Sequence, residues 1–107
     1  GDLDKAIKTQ LKEFSDRKKS EPTFKYNTTE MPDGQSVIFD FITKKPSKSI
    51  VDFNVIKIYP NKISDKNIEI IMIHFKMRSY GDDVSTFQKY ILENKEIYIN
   101  AMRGLKI

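Results

Sequence analysis

Four β-rich runs between residues 23 and 79 are separated by breaks of only a few residues, and this constrains the fold more than any other feature. Parallel neighbours need a crossover of roughly a dozen residues or more, whereas antiparallel neighbours close through a tight turn. The spacing therefore predicts an antiparallel meander. "TFKYNTT" ends at "EMPDGQ", where Pro-Asp-Gly is strong turn chemistry, and "SVIFDFITKK" follows with Val37, Phe39 and Phe41 on one face. These two runs read as a hairpin.

"SIVDFNVIKIYP" alternates through Val51, Phe53 and Val55, but Ile56 and Ile58 fall on the opposite parity, which predicts a bulge near Val55-Ile56. Pro60, Asn61 and "SDKN" are expected to form the next turn. Residues 67 to 79 are expected to form the longest strand.

Helical periodicity flanks the runs on both sides. Leu3, Ala6, Ile7, Leu11 and Phe14 recur at helical spacing among charged residues, so the spacing predicts a helix over about residues 2 to 18. Arg17-Lys18-Lys19 suits its negative end, and Pro22 stops it. Val84, Phe87, Ile91, Tyr98, Ala101 and Leu105 form a second stripe, bridged by Asn94 and widened by Tyr90, Ile97, Ile99 and Met102. Asp82 or Asp83 is expected as its N-cap and Gly104 at its end. The expected fold is an α+β single domain over residues 1 to 107, a four-stranded antiparallel meander with an N-terminal and a C-terminal helix (α-β-β-β-β-α). In outline it resembles curved cystatin-like and NTF2-like architectures, an analogy of shape carried by no motif.

Chemistry is sparse. The chain has no cysteine, which removes disulfides and thiolate zinc sites. No Walker loop, GxGxxG, HExxH, GxSxG or CxxC is present, and no acidic cluster has EF-hand spacing, so no cofactor and no metal are expected. "GDD" at residues 81 to 83 reads as a turn leading into a helix, and "NTT" at Asn27 as ordinary strand residues. The net charge of +4 arises in residues 36 to 107, which hold twelve bases and eight acids. Such a surplus is the common state of a solvated surface. Gly1 in place of Met is what removal of a leader before Asp2 leaves, and on that reading the protein is exported.

Attention falls on "NIEIIMIHFKMRSYGDDV", which holds the single histidine. On a strand, Ile71, Ile73, Phe75 and Met77 share a core face with Glu69. Ile68, Ile70, Met72, His74, Lys76 and Arg78 share the other, which passes from apolar to cationic with Tyr80 beyond it. His74 has no carboxylate on its own face, so a catalytic role would need Asp40 or Asp52 from a neighbouring strand.

With Ile38 and Ile42 expected beside Ile68, Ile70 and Met72, the second face is apolar where solvent was due. Burying five such side chains is worth on the order of 10 kcal/mol before entropy. Helices on opposite faces, or a curved sheet wrapping one helix, would cover them. Otherwise the face serves a homodimer or protein partner, or a pocket with His74, Lys76, Arg78 and Tyr80 at its polar end. The leading expectation is a non-catalytic binding or interaction domain, more a binder than an enzyme. A small ligand-binding protein or enzyme with a cavity near His74 comes second. Nucleic-acid binding through Lys76, Arg78, Lys44, Lys45 and Lys48 is the weakest, because only Tyr80 offers a stacking ring there.

Overall fold

The computed structural model describes residues 1–107. The chain runs through helix α1 (Asp2–Ser20), strands β1 (Tyr26–Glu30), β2 (Val37–Lys45), β3 (Ile50–Lys62) and β4 (Ile68–Tyr80), and helix α2 (Val84–Arg103). Short 3-10 turns, Pro46–Lys48 and Gly81–Asp83, precede β3 and α2. The strands form one antiparallel sheet in the order β1-β2-β3-β4. No helix is long and apolar enough to cross a membrane.

The helices lie on opposite faces, and the sheet is the middle layer. Under α1, Phe14 meets the rings of Phe24, Tyr26, Phe39 and Phe41 at centroid distances of 4.5 to 5.7 Å. Val37, Ile56 and Ile58 complete that core. Under α2, Ile38, Phe53 and Val55 pack with Ile91, Ile99 and Met102. Each strand of the centre therefore buries alternate residues in two different cores.

This explains the change of parity in β3 without a bulge. Its register with both neighbours is continuous through Val55 and Ile56, which point to the α2 and α1 cores respectively. The same register corrects the placing of Ile38 and Ile42. Ile56 sits between Phe39 and His74, so Val37, Phe39 and Phe41 share the face of Ile68, Ile70 and Met72, while Ile38 and Ile42 lie on the other.

The turn after β3 also begins later than its residues imply. Pro60 and Asn61 belong to the strand, and Ile63 to Asn67 make the turn. Two backbone bonds fix the phase of the β3–β4 ladder, from Gly81 N–H to Ser49 C=O (2.8 Å) and from Ile63 N–H to Asn67 C=O (2.9 Å). Because bonded pairs alternate in an antiparallel ladder, odd-numbered β4 residues bond to β3 and Pro60 turns its nitrogen away from β4. On that side β2 has already ended opposite Ile58, so no ladder bond is lost.

Before α2, Asp83 occupies the N-cap position as expected, but neither it nor Asp82 makes a side-chain cap hydrogen bond. Gly81 takes φ +61 and its N–H is tied to Ser49, which leaves Asp83 in the right-handed helical region. A capping side-chain bond typically goes with extended backbone at that position instead.

Candidate functional site

The α1-side face of β4 carries Ile68, Ile70, Met72, His74, Lys76, Arg78 and Tyr80 in one row. α1 packs over the core of β2 and β3 and makes a smaller contact with β4, where Ile70, like Leu3, Ala6 and Ile7 of the helix, packs against the α1 core. Ile68, Met72 and Tyr80 stay exposed, at 59%, 51% and 63%. No helix covers the row beyond Ile70.

Between α1 and this row lies an open cleft of about 630 Å³. Gln10, Glu13, Asp16 and Arg17 line its helical wall, and Thr43, Asn54, Met72, His74 and Lys76 line its sheet wall. His74 Nε2 is 2.9 Å from Asn54 Oδ1. The Asn54 amide nitrogen donates to Thr43 Oγ1 (3.2 Å) and to the carbonyls of Asp52 (3.3 Å) and Phe41 (3.5 Å). Its oxygen must therefore accept, which places a proton on Nε2. Burial first and the Lys76 charge second hold the His74 pKa below its ordinary value.

Neither carboxylate considered for His74 reaches it. Asp52, 2% exposed, accepts two bonds from Arg78, 2.7 Å from Nε and 2.9 Å from Nη2. That pairing holds the Asp52 carboxyl below the usual carboxylate range and keeps Arg78 charged. The Arg78 guanidinium also lies 6.0 Å from the Tyr80 ring centroid. Asp40 is on the opposite face, where it accepts from Asn27 (3.1 Å) and Lys95 (3.2 Å). His74 thus has an amide for a partner, which orients a ring but does not stabilise an imidazolium as a carboxylate does. Among the cations of the row, Arg78 is engaged by its own chain, leaving Lys76 alone at the cleft.

Three buried groups escaped the reading of the sequence. Asn54 is legible only once the β3–β4 register is known. The Asp40–Lys95 pair joins residues far apart in the chain. Lys57 is 1% exposed and donates to the carbonyls of Arg103 (3.0 Å) and Leu105 (2.8 Å), placing a cation at the negative end of α2. Its strand position in an apolar run was the available signal.

Neither curated proteins nor solved structures give a match to this chain. A protein-family model of uncharacterised function does match, from residue 1 to residue 107, and the chain belongs to that family.

Proposed function

We propose that the protein is a non-catalytic interaction domain that docks a protein partner along β4. One observation carries the reading. β4 has eight apolar or aromatic residues among thirteen, yet only Ser79 is buried. A lone edge strand with apolar side chains half wet on both faces gains by acquiring a neighbour. His74 suits recognition better than proton transfer, since its pKa is held down and its ring is held by an amide rather than a carboxylate.

The test compares the tagged wild-type chain with Met72→Lys after cross-linking, scoring any chain captured, identical or different. Capture by the wild type and loss in Met72→Lys, with the circular dichroism spectrum unchanged, supports the reading. Equal capture by both would remove β4 as the docking strip.

A second reading takes the cleft beside His74 as a seat for a small polar ligand. Its volume lies within the range of roughly 300–1,000 Å³ typical of ligand sites, which favours this, but only four of its thirteen lining residues are hydrophobic.

A further inference from the structure

The free edge of β4 is complementary to itself. By the ladder phase described above, its even-numbered residues, from Ile68 to Tyr80, turn their N–H and C=O groups outward, unused within the chain. The strand has no proline or bulge to blunt its exposed edge, and its charges, Glu69, Lys76 and Arg78, are three among thirteen residues. At the other edge of the sheet, β1 has only five residues.

We propose that the partner is a second copy of this chain, joined to the first by antiparallel pairing of β4 with β4 about a two-fold axis near His74. The proposal rests on the interaction reading above and names its partner. With the axis at His74 the two strands overlap along their whole length. Met72 then faces Lys76 and Ile70 faces Arg78, while on the α2 side Ile71 faces Met77 and Ile73 faces Phe75. Each cation meets an aliphatic side chain, and the half-buried residues of the α2 side close into one apolar strip. Moving the axis to Lys76 would set two lysines opposite each other and shorten the overlap, which disfavours that register.

Geometry also favours closure over an open chain. Pairing β4 with the short β1 of another copy would leave most of β4 unpaired and repeat without end, whereas β4 with β4 uses the same surface twice and closes. A two-fold perpendicular to the sheet keeps both α1 helices on one face of a continuous sheet, and in each copy the row beyond Ile70 lies outside the cover of its own α1. Thirteen residues from each copy is below the roughly 20–30 per side of a standard interface, so the expected dissociation constant is on the order of micromolar.

The experiment is size-exclusion chromatography with light scattering on the purified chain, from about 1 µM to several hundred µM, a range set around that expectation. The wild type should pass from 12.5 kDa to twice that mass. Met72→Pro removes an outward N–H that the fold does not use, and should weaken the dimer at least about tenfold without altering the circular dichroism spectrum. If that variant fails to fold, Met72→Lys replaces it, placing a lysine opposite Lys76. A wild type that stays monomeric throughout overturns self-pairing, and Met72-dependent capture of a different chain would then preserve the docking strip. A dimer indifferent to both substitutions overturns the β4 seam and the interaction reading together.

Discussion

β3 and β4 are neighbours of equal length, thirteen residues each, bonded to each other along their full register, and their surroundings are opposite. From Ile50 to Tyr59 every residue of β3 is buried, whereas β4 buries Ser79 alone. Apolar content does not separate them; the number of neighbours does. β3 has a strand on each side and a helix on each face. β4 has one strand, the margin of α1 and a slight contact with α2. Polar residues follow the same logic. Asp52, Asn54 and Lys57 are fully enclosed in β3, each with hydrogen-bond partners, while His74, Lys76 and Arg78 reach water from β4.

The largest expected effect comes from making one substitution in both strands. Phe53 and Phe75 each touch the Tyr98 ring, at 5.9 and 5.5 Å between centroids. Phe53 is 1% exposed, and Phe53→Ala should cost about 3–5 kcal/mol through lost transfer and a cavity. Against a total stability of about 5–15 kcal/mol this brings the chain near unfolding. Phe75 is half-buried, so Phe75→Ala should cost about 1–2 kcal/mol in urea denaturation. Equal costs would break the comparison. A Phe75→Ala cost that grows with protein concentration would sharpen it, since β4 would then be covered by association.

A smaller contrast is expected from lysine. Lys57→Met keeps the aliphatic stem but deprives two carbonyls at the end of α2 of their donor, and should cost about 1–3 kcal/mol. Burial, with Lys106 adding to it, already lowers the Lys57 pKa. Lys76→Met in β4 removes an exposed charge and should change the urea midpoint little. If the two variants unfold alike, Lys57 is not the fastening of the C-terminal helix.

Much of the architecture was legible because it is local. Helical periodicity predicted α1 and α2, the short breaks predicted an antiparallel meander, and alternation predicted the shared face of Val37, Phe39 and Phe41. What was not legible depends on relations across the sheet. A strand buried on both faces has no polar side to mark its alternation, so Val55-Ile56 resembles a bulge in sequence. Pro60 resembles a turn residue because its tolerance depends on where β2 ends. Moving that turn to Ile63–Asn67 fixes the register, and with it the His74–Asn54 contact that residue types alone did not reveal. The row from Ile68 to Tyr80 was legible from alternation alone; its exposure was not, because that depends on how far α1 reaches.

The smallest expected effect separates the strands by pH. Asp52 in β3 has a pKa below its unfolded value of 3.8, chiefly through its bond to Arg78, so its contribution is complete above pH 3.8 and is lost as pH falls through the folded value. His74 in β4 also has a lowered pKa, but for a base the consequence is a penalty. Above pH 6.5 the ring is neutral in both states and contributes nothing. As pH falls from 6.5 through the folded value the unfolded chain binds the proton first, and stability declines until both states are charged. Urea midpoints measured from pH 8 to pH 3 should therefore fall in two separate windows. His74→Gln should flatten only the upper one, because glutamine retains a donor for Asn54 without titrating. An upper window that persists in His74→Gln would assign it to another group and remove His74 as the source of that pH dependence.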